Sequence, residues 1–255
     1  MSIMQRISKP ADRPIIMTVL ADAGLGKTSL AATFPKPIFI RAEDGLQAIP
    51  AEIRPDAFPP LAKIDDLWEQ LAALINEEHD YKTVVIDSVT KLETMFGQHV
   101  IDTDPKNPKS LAQAGGGYGA GFQAVAALHH RVRKAAQLLN DKGMHVVFIA
   151  HAETTTVELP DSDPYNRYDV RLHKKSVSPY VDDVDVVAFI KLRTFTVGDD
   201  DRKRAKAISD GTRVLVCYAC AANVSKNRYG ITSDIEFTQG QNPLASFIPS
   251  IANSL

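Results

Sequence analysis

The sequence predicts an α/β fold, a mainly parallel central sheet flanked by helices, with β-hairpins in its C-terminal third. Three observations carry this. Short apolar, β-branched runs alternate with helix-periodic segments as far as Ala150, the pattern of strands buried on both faces of a sheet. The first of these runs opens directly into a glycine-containing loop and a helix, the strand–loop–helix order in which phosphate-binding loops occur. Beyond Ser178, the runs Val184 to Leu192, Arg213 to Ala219 and Asp234 to Phe237 have strand character with no helical pattern between them, which suits hairpins.

Residues 1–13 read as a polar leader available for contact between copies of the chain. Pro14 to Leu20 is the first strand and Pro37 to Ile40 the second, which ends in the acidic turn Arg41 to Gly45. Asp65 to Glu78 has helical spacing through Leu67, Leu71, Leu74 and Ile75, and its Trp68 is expected in the core. Lys82 to Asp87 reads as a buried strand and Leu92 to Ile101 as a helix. Asp102 to Gly121 loses periodicity and holds five of the 14 glycines, predicting a mobile loop. A helix over Phe122 to Leu139 follows, through Val125, Ala126, His129, Val132 and Ala136. His145 to Ala150 is another buried strand, and Glu153 to Ser178 a polar loop. No linker divides the 255 residues, so a single domain over 1–255 is expected.

A formal net charge of −2 excludes a chain coated in positive charge and leaves room for a local basic stripe. No run of about 18 apolar residues and no signal sequence is present, so a cytoplasmic protein with no membrane partner is expected. Cys217 and Cys220 form a CxxC within an apolar stretch. Without a second pair, buried thiols are the expected reading over a redox pair or half a metal site.

Ala21, Asp22, Ala23, Gly24, Leu25, Gly26, Lys27 and Thr28 match the GxxxxGK[ST] pattern with alanine at the first glycine, and Ser29 continues into the helix. Gly24 and Gly26 let backbone amides turn toward phosphate oxygens, Lys27 neutralises the β and γ phosphates, and Thr28 offers a hydroxyl to Mg²⁺. ATP and Mg²⁺ are the expected ligands. The run Thr83 to Ile86 ends in Asp87, a carboxylate at a strand's carboxyl edge where such sheets bind ligands, placed to hold Mg²⁺ through water. Ser88 follows, so no adjacent glutamate polarises the attacking water. Glu43 is the candidate base and Asp44 its rival.

These segments, IFIRAEDGL and VVIDSVTKL, resemble those of RecA-like recombination ATPases. The resemblance implies a RecA-like P-loop core and a γ-phosphate sensor at His151, in HVVFIAHAE, where the family typically has glutamine. It also identifies Lys226 and Arg228, in SKNRYG, as the KxR element that reaches a neighbouring subunit's ATP site. Two loops would grip single-stranded DNA: one with Lys106, Lys109 and Tyr118, the other with Arg167, Arg171, Lys174 and Lys175. The chain is similar to the short phage-encoded ATP-binding proteins of single-strand annealing and recombination, without the additional domains of a replicative helicase or cellular RecA. That likeness implies a DNA-stimulated ATPase in a host cytoplasm, forming a ring or filament with ATP at subunit interfaces, and a single-strand-binding protein as a further partner. A RecA-fold helicase or motor, and a nucleotide-dependent regulator or loader that binds a protein, are the alternatives.

Overall fold

The computed structural model describes residues 3–9, 11–197 and 206–253. Strand β1 (Ile16–Ala21) leads through the glycine loop into a one-turn helix, α1 (Lys27–Ala31), and then β2 (Pro37–Arg41) and β3 (Asp56–Ala57). Next come α2 (Ile64–Asn76), β4 (Thr83–Asp87), α3 (Val89–Asp102), α4 (Ala120–Asp141), β5 (His145–Val157), β6 (Tyr165–Val170) and α5 (Ser178–Val181). Strands β7 (Val186–Val197), β8 (Lys206–Val216) and β9 (Ile235–Glu236) precede the short α6 (Pro249–Ala252).

The sheet runs in the order β3, β2, β4, β5, β1, β7, β8, β9, with β6 attached to β5. Every pairing from β3 to β7 is parallel, and β6, β8 and β9 pair antiparallel. Thus β5 lies between the strand that feeds the glycine loop and the strand that ends in Asp87.

Strand alternation divides the core in two. Ile16, Leu20, Ile38, Ile40, Val84, Ile86, Val146 and Phe148 face α2, α3 and α4, through Leu67, Leu71, Leu92, Phe96, Val125 and Val132. Met17, Val19, Phe39, Val85, Val147 and Ile149 face Leu30, Phe34, Leu244, Ile248 and Ile251 on the other side. Each such fully buried side chain is worth about 1.5–3 kcal/mol against exposure. A single exposed face would leave the parallel strands unable to stand, and helical cover on both sides resolves that.

Asp185 ties down the amino end of the sheet. Its carboxylate accepts from the Ile16 amide at 3.0 Å and pairs with Arg13 at 3.2 Å and Arg228 at 3.0 Å. On the helical side, His129 shares a 2.7 Å hydrogen bond with the Tyr180 hydroxyl. Burial pulls its pKa down to about 3, so it is a neutral core residue rather than an acid–base group.

Most expected elements are present, with two corrections. Glu153 to Ser178 is not loop throughout: β5 runs on to Val157 and turns back into β6 as a hairpin. The segment after α3 is also slightly shorter than expected, spanning residues 103–119. Helix α4 starts at Ala120, and Asp104 accepts from the amides of Gly115 at 2.6 Å and Lys106 at 2.9 Å, folding the turn onto itself. Cys217 is fully buried as expected, with burial pushing its thiol up to about 12, whereas Cys220 is only half-buried.

Candidate nucleotide site

The glycine loop crosses the carboxyl edge of the sheet where β1 ends. Gly24 at φ 78° and Gly26 at φ 95° occupy the left-handed region, which lets the chain turn sharply at low steric cost. Lys27 is buried, and its Nζ donates to the carbonyls of Ala21 at 3.0 Å and Asp22 at 2.9 Å. Burial lowers its pKa, while Asp87, Glu43 and Asp22 hold it up.

Two strands away, β4 delivers Asp87. Its Oδ2 accepts from Thr28 Oγ1 at 2.9 Å. Desolvation raises its pKa to about 6, the Thr28 hydroxyl opposing, so near neutrality it is a costly buried anion that a cation would relieve. Gly45 leaves the space beside it open: a Cβ there would sit 3.1 Å from Thr28 Oγ1 and 3.4 Å from Asp87 Oδ2. Two hard oxygens at the edge of a cradle fit Mg²⁺, which takes one or two protein ligands and fills its shell with water and phosphate oxygens. No cluster of three or more His, Cys, Asp or Glu able to hold a metal exists among the described residues, and a site of this kind does not need one. When bound, the ion neutralises charge on the phosphates.

Glu43 sits on the turn after β2, fixed by the Asp87 carbonyl, which accepts from its amide at 3.0 Å and from that of Ala42 at 2.7 Å. One carboxylate oxygen accepts from the Ser88 hydroxyl and the other meets His151 Nε2 at 3.3 Å. The His151 hydrogen bond first, with the Ser88 bond and the charges of His151 and Lys27 assisting against desolvation, holds Glu43 down at about 2. It is therefore an anion at any ordinary pH, able to orient water as a hydrogen-bond acceptor. Asp44 is exposed and pairs with Arg41 at 3.3 Å, although it too borders the cleft.

The cleft between these groups measures about 480 Å³ and is lined by the glycine loop, Glu43, Asp44, Asp87 and His151. It is also lined by Arg213 and Gln239, which the sequence reading did not select. In the sequence Arg213 stands at the start of the apolar run to Ala219, where a charge is unremarkable without its neighbour across space, and in the structure it lies inside β8.

A phosphate loop on β1, an acidic strand end on β4 and a strand between them define the site's topology. A family model described as AAA domain matches residues 13–229. The chain belongs to the AAA domain family. It is accordingly an AAA-type P-loop ATPase. A comparison with curated proteins returns no match.

The remaining candidates lie elsewhere on the AAA domain. Lys226 and Arg228 are at the opposite end of the sheet from their own phosphate loop: Lys226 Nζ donates to the Asp182 carbonyl at 2.7 Å, and Arg228 pairs with Asp185. Lys106, Lys109, Tyr118, Arg171, Lys174 and Lys175 are exposed. Arg167 pairs with Asp169 at 2.6 Å on β6. The two segments that carry these residues meet. Lys175 Nζ donates to Gln123 Oε1 at 3.2 Å, and Phe122 stacks on His173 with centroids 4.4 Å apart. No helix of the described residues is long and apolar enough to cross a membrane.

Proposed function

We propose that this AAA-type ATPase binds single-stranded DNA, assembles as a ring or filament and uses ATP turnover to control its hold on the strand, in annealing or recombination. The observation that carries this reading is the junction of the two basic segments. Tyr118 is fully exposed beside Gly119, and a Cβ on Gly119 would lie 3.5 Å from Lys175 Nζ. An exposed ring next to flexible ammonium groups suits base stacking and phosphate pairing without sequence preference. The acids interspersed in the hairpin set the strand's path toward Lys174 and Lys175, since Arg167 is already paired with Asp169.

In this reading Lys27 and the loop amides hold the phosphates, while Thr28 and Asp87 hold Mg²⁺. Glu43 orients the attacking water, and His151 keeps Glu43 ionised and aimed. Lys226 and Arg228 serve the ATP site of a neighbouring copy. Their position at the amino end of the sheet supports this, because they do not reach their own cleft. The exposed Ile3 and Ile7 of the leader offer apolar contact to that neighbour.

The test is ATP hydrolysis with and without single-stranded DNA, with duplex DNA as control and assembly size recorded in the same samples. Single-strand-specific stimulation with larger assemblies is the expected result. Duplex-dependent strand separation would replace it with a motor, and turnover indifferent to DNA would replace it with a regulator that binds a protein.

A further inference from the structure

The wall of the cleft opposite Glu43 comes from the C-terminal strands, and one residue there has no assigned work. Arg213 lies on β8, where its carbonyl accepts from the Phe237 amide at 2.9 Å, so the backbone is locked between β7 and β9. Its guanidinium hangs over the phosphate loop. A Cβ built on Gly26 would sit 3.0 Å from Arg213 Nη1 and 3.2 Å from Phe237 Cε1. Among the described residues, that guanidinium has no hydrogen bond or ion pair, although arginines nearby on the hairpin do, as Arg193 does with Glu236.

We infer that Arg213 is a nucleotide-binding residue that pairs the phosphate chain of ATP within its own subunit. The inference rests on the ATP reading of the cleft. Charge balance supports it: the lining carries three carboxylates, Glu43, Asp44 and Asp87, against Lys27 and Arg213 as its permanent cations. Asp44 is already paired with Arg41 and Mg²⁺ would offset Asp87, which leaves Lys27 and Arg213 as the cations for the phosphate chain, and a planar guanidinium with donors free is the group that matches phosphate oxygens two at a time. Geometry supports it as well. Gly26 immediately precedes Lys27, and a side chain there would crowd the guanidinium where it approaches the loop, with Phe237 packed against the same spot. The strands beyond β7 are thus part of the nucleotide site and close it from the side away from Asp87.

The experiment measures displacement of a fluorescent ATP analogue by ATP and by inorganic tripolyphosphate, which has no base or sugar. It compares Glu43→Gln protein, in which turnover is slowed, with the same protein carrying Arg213→Ala or Arg213→Lys. Arg213→Ala is expected to weaken ATP and tripolyphosphate alike by about 10- to 100-fold, with Arg213→Lys recovering part of the loss and melting at the parent temperature. Unchanged affinity for both ligands in both variants overturns the inference while leaving the ATP reading intact. Weaker ATP with unchanged tripolyphosphate also overturns it, by moving the contact to base or ribose. If the parent protein binds neither ligand, the ATP reading itself fails and the inference with it.

Discussion

The backbone amide of Arg171 donates to the carbonyl of His151 at 2.9 Å, and the imidazole of the same histidine reaches Glu43 at 3.3 Å. One residue therefore touches both the group that would address the γ-phosphate and the hairpin that would hold DNA. His151→Ala is expected to leave ATP affinity near that of the parent while bringing the ratio of turnover with and without single-stranded DNA close to one. Paired hydrolysis assays check it; a preserved ratio would place the coupling elsewhere.

Glu43→Gln should retain ATP and lose about 10²- to 10⁴-fold in turnover, the range of a positioned base. Asp44→Asn, which loses only the exposed Arg41 pair, should stay within about twofold of the parent, because exposed pairs are worth little. Single-turnover kinetics on both variants separate the two carboxylates.

Asp87 gives a stability effect with a defined sign. Its folded-state pKa of about 6 lies above its ordinary value of 3.8, so the folded protein holds a proton that the unfolded chain releases. The stability this confers is present at pH 4 and lost as pH rises through 6. Above that, the buried anion costs about 2–3 kcal/mol. Asp87→Asn should therefore stabilise the nucleotide-free protein at pH 8, with the gain fading toward pH 4, while Mg²⁺-dependent nucleotide binding is lost. Urea melts at the two pH values check the first part and nucleotide titration the second. Mg²⁺ must displace that proton, so Mg²⁺-dependent nucleotide binding at subsaturating Mg²⁺ should likewise weaken as pH drops through about 6, with Glu43 still ionised.

Arg228→Ala should bind nucleotide like the parent and lose turnover that depends on assembly. Its partner Asp185 keeps Arg13 and the Ile16 amide, so little stability is at stake. Sedimentation together with activity across protein concentration tests this, and full activity in a monomer would remove the trans role.

The turn of the glycine loop after β1 and the place of Asp87 at the end of β4 were legible because they are local: the spacing of Gly24, Gly26 and Lys27 fixes where the chain turns. The β5–β6 hairpin was not. In Glu153 to Val157 and Tyr165 to Asp169, side chains alternate between half-buried and exposed, so both faces stay polar and no hydrophobic period marks a strand. The start of α4 was hidden by glycine, a weak helix former. Yet Gly121 is required there, since a Cβ would collide with the Leu111 carbonyl. Arg213 was missed for a different reason. Its significance is its approach to Gly26, 187 positions away in the chain by their numbers, and no local pattern encodes that.

The sheet stops at two very short strands, Asp56–Ala57 on one side and Ile235–Glu236 on the other. Each of these two strands by itself offers little continuous hydrogen-bonding length to a foreign strand, while β8 before Arg213 extends beyond the cover of β9. In the assembly proposed above, addition at β3 or β9 is thereby discouraged and copies would recognise one another through side chains. An interface made that way can loosen and re-form within each catalytic cycle, whereas a shared sheet would weld the subunits into a permanent fibre.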